Sequence, residues 1–162
     1  MTDLAEKMDV IELMTRHEEA IAELYSAYAE KFPECDIWSY LYGEEVKHAE
    51  WLRSILNNVF EGSISFSDMH FSEKGIQISI KNLERNREKV NEGLIDLEEA
   101  FNIAYNLENS LIEDHYLDYF SSDNEDIMKV LKDLKSDTIG HRQLLKEKRE
   151  AYIAEKRSKN QY

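Results

Sequence analysis

The sequence predicts an all-α protein: an antiparallel four-helix bundle with a long crossover between its second and third helices. Three observations carry this. Apolar residues recur at three- and four-residue spacing through four long stretches. One proline and five glycines leave few interruptions in 162 residues. Turn-forming residues gather near Pro33, across 60–75 and at 121–124. A chain of this length fits one domain, taken here as residues 1–155, and can bury a core without covalent staples. Residues 156–162 read as a polar tail.

The first helix is expected over about 4–31, where Leu4, Met8, Ile11, Met14, Ile21, Leu24, Tyr25 and Tyr28 fall on one stripe. Pro33 stops it. Ile37, Trp38, Leu41, His48, Leu52 and Ile55 continue the pattern in a second helix over about 35–58, and the short link from Phe32 to Asp36 makes the two a hairpin. Residues 60–75 lack periodicity and read as a loop. Ile76, Ile78 and Ile80 alternate like a strand, but a lone strand has nothing to pair with, so a short helix is preferred and no sheet is expected. The third helix, about 93–120, has Leu94, Leu97, Phe101, Ala104, Leu107, Leu111, His115 and Phe120 as its seam. Ser121 to Asn124 supply a turn and an N-cap. The fourth helix follows over about 125–155 through Ile127, Leu131, Leu134, Thr138, His141 and Leu145.

The net charge of −14 disfavours phosphate backbones and anionic membrane surfaces, so neither nucleic acid nor a membrane is an expected partner. The N-terminus has no basic stretch leading into an apolar one, and no apolar run is long enough to span a bilayer. A cytoplasmic location is the expectation. The single Cys35 excludes an internal disulfide, a thiolate zinc site and an iron–sulfur centre within the chain. Trp38, Tyr40, Tyr42 and Trp51 spread around the second helix more widely than one buried face requires, which points to a homodimer.

Chemistry concentrates in a few polar residues set on apolar stripes: Glu18, then Glu45 and His48, then Glu108, then His141. One Glu-x-x-His arises easily by chance in a Glu-rich chain with five histidines. Position raises its value, because residues three apart share a helical face, and Glu45 and His48 project together between Leu41 and Leu52. A carboxylate buried among apolar neighbours must be paired or bound to a cation. Carboxylates and imidazoles contributed by several helices are how bundles hold metals. Glu19 and Glu44 read as solvated neighbours, and His17, His70 and His115, without matched carboxylates, as structural or exposed. Tyr25 and Tyr116 are either core aromatics or hydroxyl donors to metal-ligating carboxylates.

The run HEEAIAELYSAYAEKFPECDIWSYLYGEEVKHAEWL resembles the first helical pair of rubrerythrin-like proteins of the ferritin-like superfamily, and AFNIAYNLENSLIEDHY resembles their third helix. The resemblance implies a ferritin-like bundle, usually dimeric, with a non-haem di-iron site that reduces hydrogen peroxide or oxygen. It carries the metal ligands onto Glu18, Glu45, His48, Glu108 and His141, with Glu18, Glu45 and Glu108 as the catalytic carboxylates and Tyr25 and Tyr116 hydrogen-bonding them. Three departures stand out. Thr138 occupies the place of a bridging glutamate, Leu111 that of a second carboxylate on the third helix, and the electron-delivering rubredoxin domain is missing, so an external donor such as a rubredoxin-like protein is implied.

Two ferrous ions carry four positive charges, and Glu18, Glu45 and Glu108 supply three negative ones. Asp137, beside Thr138 and four residues before His141, is the candidate to fill the gap, though its side chain is short for a bridge. Two functional expectations follow. One is an iron oxidoreductase with two ions per chain if the site is complete; the other is a non-catalytic bundle holding one Fe, Zn or Mn ion or a partner.

Overall fold

A computed structural model describes residues 4–59, 64–66, 73–110 and 120–160. Among them are five helices: α1 (Leu4–Lys31), α2 (Ile37–Val59), α3 (Glu73–Asn91), α4 (Leu97–Asn109) and α5 (Glu125–Lys159). The chain is therefore mostly helical, as expected. Two three-residue strands, β1 (Ile64–Phe66) and β2 (Phe120–Ser122), pair antiparallel with Ser65 opposite Ser121. This small ladder corrects the expectation that no strands would pair. Its halves lie more than fifty residues apart, beyond the reach of local periodicity.

Local chemistry sets most boundaries. The segment around Ile76 to Ile80 is not a short insertion but part of the nineteen-residue α3. Ile76, Leu83 and Val90, seven residues apart, form its buried seam, while Ile78 is exposed. The third bundle helix was expected from about 93, but Gly93 ends α3 instead. With a φ of 74° it lets its own N–H reach Val90 O (3.0 Å) and that of Leu94 reach Lys89 O (2.9 Å), the paired bonds of a Schellman stop. Asp96 then caps α4, its side chain accepting from Glu99 N at 2.8 Å. The expected helix to residue 120 is also too long. Ser110 closes α4 by donating to Asn106 and Leu107 carbonyls, and Phe120 lies in β2. Leu111, His115 and Tyr116 fall outside the described residues, as does His70. Asn124 caps α5, which continues to Lys159, so most of the expected polar tail is helix.

α1 packs against α2 and α3, α4 packs against α5, and α2 also meets α5. The apolar core is divided in two. One cluster includes Ile21, Leu24, Tyr25, Tyr28, Trp38, Leu41, Phe101 and Leu145. The other includes Ile11, Met14, Leu52, Ile55, Ile76, Leu131 and Leu134. On α1, α2 and α5 the chain passes from one cluster to the other, and between them lies the buried polar set Glu18, Glu45, His48, Thr138 and His141. Glu108, at the end of α4, joins the same level.

The second cluster should contribute strongly to stability because Leu134 is fully buried in it. Leu134→Ala is expected to cost about 2–5 kcal/mol, the transfer loss plus the cavity. Chemical denaturation should show a lower midpoint with an unchanged slope.

Candidate metal centre

Four helices supply the polar level: Glu18 from α1, Glu45 and His48 from α2, Glu108 from α4 and His141 from α5. All five side chains are buried, Glu18 and Glu108 completely. The structure brings together the five residues singled out from sequence.

Glu45 is the centre of the arrangement. Its Oε2 lies 3.0 Å from His48 Nδ1, and its Oε1 lies 3.1 Å from His141 Nδ1. Glu18 Oε2 is 3.9 Å from the first of these nitrogens and Glu108 Oε2 is 3.9 Å from the second. Three donor groups result, each with ligand atoms within 4.8 Å of one another: Glu18–Glu45–His48 and Glu45–Glu108–His141, which share Glu45, and Glu44–His48–His141. The imidazoles stack with centroids 5.4 Å apart. The 3.1 Å approach of His141 Nδ1 to Glu45 Oε1 is an ion-pair distance when the imidazole is protonated, and a deprotonated His141 could share a cation with Glu45 in its place. The donor set, carboxylate oxygen and imidazole nitrogen with no thiolate, suits Fe, Mn or Zn. By donor chemistry and by placement, the residues fit a metal.

Electrostatics point the same way. Burial acts to raise the Glu45 pKa, but His141 and His48 overcome it and hold the carboxyl well below the usual carboxylate range. Burial opposes the charged form of His141, yet Glu45 and Glu108 outweigh it and raise the imidazole pKa. His141 can thus offset part of the buried negative charge when no cation does. Tyr25 donates to Glu108 Oε1 at 2.6 Å. Its burial, followed by the charges of Glu108 and Glu45, pushes its pKa well up, so it remains a donor.

Among the described residues, no fourth carboxylate is buried at this level. Thr138 is buried at the same level, but its hydroxyl donates back to Leu134 O at 3.1 Å. Asp137 does not turn inward. It is partly exposed, with Oδ2 3.1 Å from Lys47 Nζ and 3.4 Å from His48 Nε2, on the far side of the ring from Glu45. There it can fix the orientation of His48 and leave Nδ1 for the interior.

Glu44 was read from sequence as solvated and is not. It is partly buried, with Oε2 3.7 Å from His141 Nε2 and 2.7 Å from Lys47 Nζ. It repeats for His141 what Asp137 does for His48. Its place next to Glu45 and one turn before His48 was the available signal. Glu19 does face solvent, where it pairs with Arg53. His17 is buried and bonds to Ser79 on α3 at 2.8 Å, a structural role.

No protein-family model, curated protein or solved structure matches this chain. The functional reading therefore rests on the site itself.

His17 gives a test of this level that needs no metal. Burial lowers its pKa to about 4, against the pull of Glu45. In the unfolded chain it titrates near 6.5, so between those values the unfolded state binds more protons and stability falls as pH drops. The loss across that window should be about 3 kcal/mol. Urea midpoints of metal-free protein at about pH 7 and about pH 4.5 should reveal it, and His17→Gln, which keeps a polar group towards Ser79 but cannot titrate, should flatten the slope.

Proposed function

We propose that this chain is a rubrerythrin-like protein: a ferritin-like four-helix bundle of α1, α2, α4 and α5 that holds non-haem iron and reduces hydrogen peroxide or oxygen with an external electron donor. The observation that carries the reading is the sharing of buried Glu45 between two Glu–His groups. Iron bound there would supply electrons to an oxygen–oxygen bond.

The chain's own residues have distinct tasks in this reading. Glu45 offers one oxygen to each half of the site, and His48 and His141 present one nitrogen each. Glu18 and Glu108 complete the halves. Tyr25 keeps a proton at Glu108 Oε1, orienting that carboxylate so that its other oxygen faces His141. Asp137 and Glu44 hold the outer nitrogens. The two apolar clusters keep water from both ends of the polar level, which strengthens every charge interaction inside it.

Thr138 favours a second reading, a non-catalytic bundle that holds a single Fe, Zn or Mn ion. Its hydroxyl is committed to the Leu134 carbonyl and brings no charge to the site. Anaerobic ferrous titration with metal analysis separates the readings. Glu45→Ala should abolish binding, because both halves lose their shared ligand. Thr138→Glu should raise the iron content per chain and any peroxide turnover. If Glu45→Ala binds metal as well as the parent and Thr138→Glu binds no more, the site is not a metal centre.

We also infer a homodimer through the outer face of α2. Trp38 is fully buried within the chain and Trp51 half-buried, but Tyr40 is 51% exposed and Tyr42 43%. Light scattering at high micromolar concentration should give twice the chain mass, and Tyr40→Glu with Tyr42→Glu should return it to the monomer value.

A further inference from the structure

Behind the carboxylate–imidazole level, a file of aromatic rings crosses the larger apolar cluster. Tyr25, whose hydroxyl touches Glu108, has its ring centroid 6.0 Å from that of Trp38. Trp38 stands 5.0 Å from Phe101, and Phe101 stands 5.8 Å from Tyr152. Tyr28 lies beside the file, 6.3 Å from Tyr25 and 4.8 Å from Trp38, and leads to Phe32 at 6.4 Å. Both branches end at one surface depression of about 540 Å³, lined by Phe32, Cys35, Phe101, Lys148 and Tyr152. The file thus has one end at the polar pocket and the other at the surface.

Packing alone does not explain the residue types. Trp38 Nε1 and the Tyr28 hydroxyl are buried with no hydrogen-bond partner among the described residues. Each such group costs about 1–3 kcal/mol, which phenylalanine or leucine would avoid. What tryptophan and tyrosine add is a ring that can lose one electron. Tyr25 also has what a tyrosine needs for that, a base at hydrogen-bond distance, in Glu108 Oε1 at 2.6 Å.

We propose that Tyr25, Trp38 and Tyr152 form an electron relay between the polar pocket and the surface depression beside Cys35. The idea rests on the oxidoreductase reading above for its oxidant, an oxidised transition-metal ion in the pocket. Tyr25 would give one electron to such an ion while its phenolic proton passes to Glu108 Oε1, and would be left as a neutral phenoxyl radical. An electron from Trp38 and the returning proton restore Tyr25. The tryptophan is left as a radical cation, since Nε1 has no hydrogen-bond partner among the described residues to take its proton. Phe101 is not oxidised and only fills the gap with a conjugated ring. An outside one-electron donor in the depression refills Trp38 by way of Tyr152, which lines the depression, releases its phenolic proton to solvent when it is oxidised and regains it when the donor reduces it.

The test uses metal-free protein, so that it does not depend on the metal reading, and carries Tyr152→Phe, so that Tyr25 is the one relay tyrosine left to oxidise. Cys35 is the only cysteine, is half-buried and lines the depression, and it can carry a thiol-linked ruthenium polypyridyl photo-oxidant. After a flash with an external quencher, transient absorption should show a tryptophanyl radical that decays as a tyrosyl radical appears, with the tyrosyl signal confirmed by electron paramagnetic resonance. Tyr25→Phe should lose the tyrosyl signal and keep the tryptophanyl one. Glu108→Gln, which removes the proton acceptor, should do the same. Trp38→Phe should lose both. A tyrosyl radical that persists in Tyr25→Phe, or forms in Trp38→Phe at the parent's yield, overturns the relay. Should Trp38→Phe fail to fold, the parent's kinetics decide, since a tyrosyl radical rising without a tryptophanyl precursor overturns it equally. Failure here leaves metal binding by Glu45 intact, and failure of metal binding leaves this photochemistry unaffected.

Discussion

The structure turns on a carboxylate held between two imidazoles in the middle of an apolar core. Glu45 sits 3.0 Å from His48 and 3.1 Å from His141, with Glu18 and Glu108 buried on either side. Burying three carboxylates costs several kcal/mol for each ion that is not compensated. Two imidazoles and one tyrosine hydroxyl offset only part of that. The rest of the architecture fits this constraint. Apolar clusters above and below keep the level dry, and partly exposed Asp137 and Glu44 hold the outer edges of the two rings. A purely structural core would have put leucines here at lower cost, so the polar level is where function is to be sought.

Thr138 gives the site its particular character. Its hydroxyl satisfies itself locally against Leu134, as buried threonines on helices commonly do, and so leaves His141 as the buried ionisable side chain that α5 contributes. The asymmetry is electrostatic rather than geometric. Glu18, Glu45 and Glu108 bring three negative charges to the level, and Thr138 adds none. Lys47 adds to this, because it draws Asp137 and Glu44 outward by ion pairing at 3.1 and 2.7 Å. A pair of divalent ions placed here would be held less tightly than by four carboxylates.

The larger apolar cluster joins stability to chemistry. Tyr25, Trp38 and Phe101 are among the largest fully or nearly fully buried side chains, and their area contributes heavily to folding. Tyr25 belongs to that cluster and to the polar level at once, through its 2.6 Å bond to Glu108. A change in the packing of Trp38 would therefore reach the carboxylate through a single side chain.

The helical class and the register of the site were legible in the sequence because both are local. Spacing of apolar residues determined α1, α2 and most of α5, and the i, i+3 relation put Glu45 beside His48. Gly93 and the Asp96–Glu99 pair also carried local signals for the break between α3 and α4, although apolar periodicity through Leu94 and Leu97 obscured them. Three matters were decided only by tertiary structure. The pairing of β1 with β2 depends on backbone groups far apart in the chain. The inward or outward turn of Glu44 and Asp137 depends on Lys47 and on which nitrogen each imidazole presents. The convergence of Glu18, Glu45, Glu108 and His141 depends on the relative height of four helices. Helical periodicity states which face a residue occupies, but height along a neighbouring helix is set by how two surfaces pack, and no single segment contains that information.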